Sequence, residues 1–472
     1  MGKKPDVVIA EGSDLPYHFL YADLPDHVLT ALDRELSFYP ANYERTDAYQ
    51  SKEWDGRVQL FQMTKSGKAW YYPAGLKSRV ARVLKIFGLN YVVKPAAKRE
   101  YLPVDVDWVS DVVLRDYQQD AVDAILKANG GIVSLPTGAG KTLIALKIIE
   151  MMNVTTLILV HTKELLVQWE KEIEKHLGVE CGVLGDGRRR WEPITVAMTQ
   201  TLASMIKKRE IDTLEFGMLC VDECHRAPAD TTYSVSMRCT ARARMGLSAT
   251  PRRTDNKDLK IFAAVGEITS NITPCDLIRR GYLAKPMLHL HHVPAGDSQF
   301  FSLGWPKEYD VGIVGNDDRN DMIVEDAAYY ASNGIQTYVH VERIDHLKIL
   351  YYALVPEFGP GQVAYLCGKQ PSDERQKIIK RFKEGKVLVL VGTLLKEGAD
   401  IPAIGCLINA SGMKSNVALV QKVGRALRTA DGKEMAFVVD FIDSGRFLRK
   451  HSEERYQTYM DTYGDCISVK EE

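Results

Sequence analysis

Residues 134–142 read SLPTGAGKT. They follow the apolar run GIVSL (131–135) and lead into the amphipathic stretch KTLIALKIIE (141–150). A solid apolar run, a glycine-rich turn and then a helix is the β–loop–α context of a phosphate cradle. Glycines at 138 and 140 let the backbone curl so that its N–H groups point inward at an anion. The helix N-terminus adds its partial positive charge. On this reading Pro136, Thr137, Gly138, Ala139 and Gly140 form the cradle. Lys141 neutralises the outer phosphate oxygens, and Thr142 offers a hydroxyl to Mg²⁺. Leu135 stands where the general pattern has its first glycine. An ordinary glycine-rich βα turn is the alternative.

A phosphate cradle needs acids for metal and water. The stretch GMLCVDECHRA (217–227) supplies a buried-strand pattern ending in Asp222 and Glu223. Asp222 is placed to hold Mg²⁺, and Glu223 to orient and deprotonate an attacking water. Carboxylates at the C-terminal end of a strand lie where α/β sheets bind ligands. Two solvated acids in a turn would be the bland reading.

The rest of the chain sets the frame. It has 472 residues, 45% hydrophobic and 26% charged, with a formal net charge of -1. That composition fits several globular domains and is not a disordered or membrane profile. No run of about 18 apolar residues occurs, so no membrane span is expected. The eight cysteines show no zinc-type spacing, so reduced, buried thiols in a cytoplasmic protein are expected. Basic clusters at 188–190, 207–209, 252–253 and 279–280 suit either a solvated surface or a polyanion contact.

Periodicity divides the chain. Residues 1–104 read as a small α+β domain: a helix at 27–36, a hairpin at 56–75 turning at KSGK (65–68), and a helix at 76–88. That second helix has Leu76, Val80, Val83, Leu84 and Phe87 on one face. From 105 to 285, apolar runs at 131–135, 156–161, 194–198, 217–221 and 245–248 alternate with helical stretches. Such solid runs suit strands buried on both faces of a parallel sheet. A second series follows in 286–450, with runs at 336–341, 362–367, 387–392, 406–410 and 435–440. The joining stretch near 275–330 reads as connection, and 451–472 as a terminal helix and tail. The fold class is therefore α/β: two parallel-sheet lobes preceded by a small α+β domain.

At this point the motifs resemble those of superfamily 2 helicases. DECH (222–225) resembles the DExH box. LRDYQQDAV (114–122) resembles the adenine-reading segment, which implies roles for Gln118 and Arg115 against the base. LILVHTKELLVQW (157–169) and MTQTL (198–202) resemble strand-contacting motifs, implying nucleic-acid contacts at His161, Thr162, Lys163, Thr199 and Gln200. LSATPRR (247–253) resembles the coupling motif, implying coupling roles for Ser248 and Thr250, with His225, and a strand contact at Arg252. VGTLLKEGADIP (391–402) implies contacts at Thr393 and Lys396, and places Asp400 near the ribose or in a structural role. QKVGRALR (421–428) implies catalytic Gln421 with finger arginines Arg425 and Arg428; Lys422 stands where many relatives have arginine. DECHRAPADTTYSV (222–235), GNDDRND (315–321) and EWDGRVQLF…YYPAGL (53–76) resemble the UvsW-like phage helicases most, then XPB-type helicases.

The resemblance implies two RecA-like lobes that use ATP and Mg²⁺, with the nucleotide held by residues of both. It implies a monomeric ATPase that moves along DNA, without sequence preference, and remodels forks and four-way junctions. It would work in the cytoplasm, of a host cell if the gene is a phage's. An RNA helicase, or the motor subunit of a larger restriction or repair complex, are the competing readings. A nucleotide-binding module that never hydrolyses is disfavoured by Glu223 and the two arginines. In the first domain, Trp54, Arg57, Lys65, Lys68, Trp70, Tyr71 and Tyr72 interleave bases and aromatics, which suits either strand stacking or a small core.

Overall fold

The computed structural model describes residues 5–97, 99–225, 229–249, 258–294, 303–393, 404–414, 419–420, 423–424, 426–427 and 434–471. The chain forms two compact units: Met1–Leu135 with Gly140–Asn271, and Ile272–Glu472 with Pro136–Ala139.

In the first unit, a five-stranded sheet carries the N-terminal domain. Its order is Gln62–Met63, Trp70–Pro73, Tyr17–Tyr21, Val7–Glu11 and Tyr91–Lys94. The helices Asp26–Glu35 and Lys77–Ile86 form as their periodicity predicts, burying Val28 and Leu32 on one and Val80, Val83 and Leu84 on the other. Phe87 departs from the expectation: it lies just past the helix end and is exposed. The hairpin turns where predicted, at Gly67 with φ +67°. The segment before it differs, because Val58–Gln59 pairs with Ser37–Phe38 in a separate small sheet.

The open alternative for the interleaved aromatics resolves residue by residue. Tyr72 is fully buried, and Trp70 stacks on Phe61 with centroids 4.7 Å apart. These two serve packing. Trp54 donates its indole N–H to the Arg57 carbonyl, and Arg57 pairs with Asp33. Lys65 and Lys68 stand exposed at the hairpin tip.

An eight-stranded sheet forms the rest of this unit. Its order is Arg188–Arg190, Gly182–Gly185, Ile194–Met198, Thr156–Val160, Met218–Val221, Ala243–Ser248, Gly130–Ser134 and Ile268–Asn271. All pairings but the first are parallel. The five predicted runs are all strands here. Arg188–Arg190 form an exposed edge strand, and each arginine meets a glutamate: Glu170, Glu210 and Glu180 in turn. The cluster is thus largely neutralised within the chain.

One hydrophobic cluster runs from Val7, Leu20 and Leu84 through to Leu159, Phe262 and Val265. The N-terminal domain and the eight-stranded sheet therefore share a core. Gly75 shows how close they come. A Cβ there would lie 2.2 Å from the Phe262 carbonyl oxygen and 2.7 Å from that of Ala263. Only glycine admits that approach. Arg79 adds an ion pair to Glu267 across the same junction.

The second unit holds a seven-stranded, all-parallel sheet. Its order is Val363–Leu366, Val389–Gly392, Thr337–His340, Cys406–Asn409, Met435–Ile442, Lys285–His292 and Ser468–Glu471. Two of these lie outside the five predicted runs. KPMLHLHH, in the stretch expected to be connection, is a strand: histidines and Pro286 mask its alternation, yet it pairs with Met435–Ile442 over eight residues. The terminal helix Phe447–Tyr463 is part of the interior: Leu448, Arg455, Tyr459 and Tyr463 are all buried. Arg455 binds Asp440 at 3.1 Å and the Phe441 carbonyl at 2.8 Å, and Tyr459 donates to Asp440 at 2.7 Å. Arg319 of GNDDRND, fully buried, binds Asp443 at 2.7 Å and the Ala410 carbonyl at 3.1 Å.

Expected thiols are found at six buried cysteines. The exception corrects that expectation: Cys275 and Cys466 are joined in a disulfide, 5.7 Å between Cα atoms. Two positions 191 residues apart in sequence can be judged for such a bond only from the fold. Among the described residues, no helix is long and apolar enough to cross a membrane.

Candidate active site

Three adjacent parallel strands end together. Ala243–Ser248 lies between Gly130–Ser134 and Met218–Val221, and register puts Ser248 beside Ser134 and Gly246 beside Val221. The loops leaving these ends carry the predicted chemistry. Backbone bonds tie them: Leu135 N–H to the Ser248 carbonyl at 2.9 Å, and Cys224 N–H to that of Leu247 at 3.0 Å.

The glycine-rich loop has the predicted shape. Gly138 (φ +86°) and Gly140 (φ +81°) take left-handed conformations, and helix Lys141–Met152 begins directly after them. Gly140 also lies close under Gln118: a Cβ there would sit 2.3 Å from its Nε2, so that side-chain tip would have to shift. Gln118 is buried, and its Oε1 accepts the Arg115 N–H at 2.9 Å. The predicted adenine-reading residue thus packs on the loop. The Lys141 ammonium donates to the Leu135 carbonyl at 3.2 Å and lies 3.9 Å from Glu223. Thr142 is the second residue of that helix. The Thr137 hydroxyl is buried with no protein partner among the described residues.

Asp222 and Glu223 occupy the next strand end. Asp222 accepts the indole N–H of Trp169 on Oδ2 at 2.8 Å and the Glu223 N–H on Oδ1 at 2.9 Å. Burial pushes its carboxyl up from the usual range, while the Trp169 indole and the Lys141 charge pull it back. Glu223 has φ +41°, a left-handed backbone that a non-glycine residue adopts at a cost of order 1–3 kcal/mol. Its carboxylate lies 3.4 Å from His225, and His225 Nδ1 lies 2.8 Å from Ser248 Oγ.

The donor set fits a magnesium nucleotide: two left-handed glycines at a helix N-terminus, a lysine and threonine next, and two buried carboxylates on a neighbouring strand. Thr142 and Asp222 are the residues that would hold the metal.

The predicted strand-contact residues of this unit gather at a different set of strand ends. Thr162 caps helix Lys163–Leu177, its hydroxyl accepting Leu165 N–H at 3.2 Å. Lys163 is exposed and pairs with Asp186. Thr199 is buried, donating to the Val160 carbonyl at 3.1 Å, so surface exposure at that position falls to Gln200. Gln200 reaches the His161 carbonyl at 3.5 Å. In the second unit, Thr393 N–H donates to the Leu366 carbonyl at 3.0 Å. Thr250, Arg252, Lys396, Asp400, Gln421, Arg425 and Arg428 lie outside the described residues. Trp169 was not predicted; it sits inside a quoted motif, but nothing in the sequence signals its partner 53 positions away.

These features define a class: an ATP-hydrolysing motor built on two RecA-like units, with an intact cradle and acid pair. Comparison with known proteins narrows it. The family of the Type III restriction enzyme, res subunit, matches residues 111–253, and the helicase conserved C-terminal domain matches 321–430. The DNA 3'-5' translocase XPB2 of Sulfurisphaera tokodaii is 29% identical over 71% of this chain and 82% of its own. The ATP-dependent DNA helicase uvsW of Enterobacteria phage T4 is 24% identical over 95% of this chain and 97% of its own. A putative Rad25 helicase of Halobacterium salinarum is 29% identical, this chain spanning 54% of its length. In fold, a fragment of a putative HsdR subunit from Vibrio vulnificus aligns with a TM-score of 0.57 at 19% identity, over 77% of this chain and 69% of that one. Together these matches show a superfamily 2 helicase, close to UvsW and the XPB helicases.

Proposed function

We propose that this enzyme is a DNA translocase that remodels branched DNA (fork regression and movement of four-way junctions) without reading sequence. The observation that carries it is the core shared by the N-terminal domain and the first RecA-like sheet. A domain packed through Gly75 and Arg79 onto the ATP-binding sheet moves with it. Its exposed tip lysines, Lys65 and Lys68, would then travel with the motor and meet a duplex where it branches. The relatives' names, a DNA 3'-5' translocase and a DNA helicase, support DNA over RNA. Contacts to phosphate position a protein without specifying bases. The enzyme would work as a monomer in the cytoplasm.

Hydrolysis follows from the site. Thr142 and Asp222 would hold Mg²⁺, which when bound would supply charge neutralisation at the phosphates. Lys141, at the start of the helix that follows the glycine-rich loop, binds and orients the terminal phosphoryl group. Glu223 takes the proton from the attacking water as the bond to the leaving phosphate oxygen breaks. Arg425 and Arg428, whose roles are implied by the resemblance of QKVGRALR to the helicase motif, would stabilise the charge of the transition state, an effect worth roughly 10³–10⁵ in rate in comparable enzymes. His225 and Ser248 relay the state of the Glu223 side to the adjoining strand end.

A second reading, a motor subunit whose partner recognises the target, is favoured by the restriction-subunit family match. One experiment separates them. ATPase stimulation of the purified chain is compared with single-stranded DNA, linear duplex, a four-way junction and RNA. We expect the junction to stimulate most. Equal stimulation by junction and linear duplex would remove the branch-remodelling proposal, and stronger stimulation by RNA would replace DNA as the substrate.

A further inference from the structure

The buried contact between Trp169 and Asp222 is unused by the steps above. Trp169 lies on helix Lys163–Leu177 and is 1% exposed. A buried indole N–H needs an acceptor, and a backbone carbonyl would have sufficed. Here the acceptor is one oxygen of a carboxylate that is itself buried, at 2.8 Å. The other oxygen is held at 2.9 Å by the N–H of Glu223. The two donors fix the plane of the carboxylate from opposite ends. One of them is main chain and moves only with Glu223. The other is a rigid aromatic on a separate helix, packed on all sides.

We propose that Trp169 is a positioning residue for the metal-holding carboxylate: its indole N–H sets the orientation in which Asp222 meets Mg²⁺. The inference rests on the reading of Asp222 as the metal carboxylate. A donor that orients a metal-binding carboxylate from outside the coordination sphere typically changes metal affinity or activity by 10–100-fold when removed. A packing-only tryptophan would, on replacement, alter stability without a specific effect on metal.

The test uses the full chain and reads binding, not turnover. The affinity of N-methylanthraniloyl-ATP is followed by fluorescence in EDTA and across a Mg²⁺ titration, for the parent, W169F, W169H and D222N. W169F keeps an aromatic ring and loses the N–H; W169H keeps a ring N–H. We expect W169F to need about tenfold more Mg²⁺ for the half-maximal gain in affinity, with its affinity in EDTA unchanged. W169H should lie closer to the parent than W169F does. If W169F titrates like the parent while D222N does not, Trp169 only packs and the inference falls alone. If D222N also titrates like the parent, the metal reading of Asp222 falls and takes the inference with it. Should W169F not fold, W169M, which also lacks the donor, decides: a midpoint raised about tenfold supports the role, and one within about threefold of the parent overturns it.

Discussion

His225 Nδ1 and Ser248 Oγ lie 2.8 Å apart, both buried, one on the loop after strand Met218–Val221 and the other at the end of the adjacent strand Ala243–Ser248. Glu223 reaches the same ring nitrogen at 3.4 Å. The side chain assigned to activate water is thus one residue removed from a hydroxyl at the neighbouring strand end. On the function proposed above, that short chain is the route by which a change beside the phosphate would reach the end of the neighbouring strand.

Ser248→Ala cuts the route without touching the cradle or the acids. DNA-stimulated ATP turnover should stay within about threefold of the parent, while strand displacement falls at least about tenfold, since general-base function is untouched. Both rates are measured on one preparation. A parallel fall in the two would assign Ser248 to hydrolysis itself.

Glu223→Gln keeps the side chain's shape and removes its basicity. Turnover should drop by roughly 10²–10⁴, with nucleotide affinity preserved because Lys141 and the loop N–H groups remain. Single-turnover hydrolysis and equilibrium binding together check this. Hydrolysis within a few-fold of the parent would exclude the base role.

Gly75→Ala drives a methyl into two backbone carbonyls, at 2.2 and 2.7 Å. Backbone cannot step aside as a side-chain tip can, so the N-terminal domain must shift on its sheet. A loss of at least about 2 kcal/mol is expected. Hydrogen exchange should rise at 262–266 and in the helix Lys77–Ile86, and unchanged exchange there would mean the two parts are not held through this contact.

Acid should weaken the N-terminal domain through His18. Burial, with the Lys77 charge nearby, pushes its pKa down to about 4, below the 6.5 or so of an exposed histidine. On acidification the unfolded chain takes up the proton first. The contribution is therefore complete above about pH 6.5 and is lost as pH falls toward 4, about 2 kcal/mol between pH 7 and 5. Urea midpoints of the parent and His18→Phe at the two pH values test it: the variant should show the smaller drop. Equal drops would place the acid sensitivity elsewhere.

Arg455→Ala leaves Asp440 and Asp443 in the interior short of a cation; the native contacts are 3.0 and 3.4 Å. Removing one partner of a buried ion cluster typically costs 3–5 kcal/mol. For a unit of this size that lowers the unfolding midpoint by roughly 10 °C. Calorimetry should show the loss in the second unit's transition, and a shift under about 2 °C would mean that water reaches these carboxylates.

The sequence alone determined what local pattern can encode. Solid apolar runs marked the strands that carry chemistry, because a strand covered on both faces has no polar side to show. Glycine spacing before Lys141 marked the cradle, and the strand-end position of Asp222 and Glu223 marked the acids. Tertiary structure decided what depends on distance in space rather than along the chain. It put the Trp169 indole on Asp222, Gln118 on Gly140, and Gly75 against Phe262. It drew KPMLHLHH into the second sheet, and Arg319 and Arg455 into its interior. Each of those contacts joins positions whose separation follows no period, so nothing in the neighbouring residues announces them. They exist because packing leaves a buried polar group only the partners that the fold brings within reach.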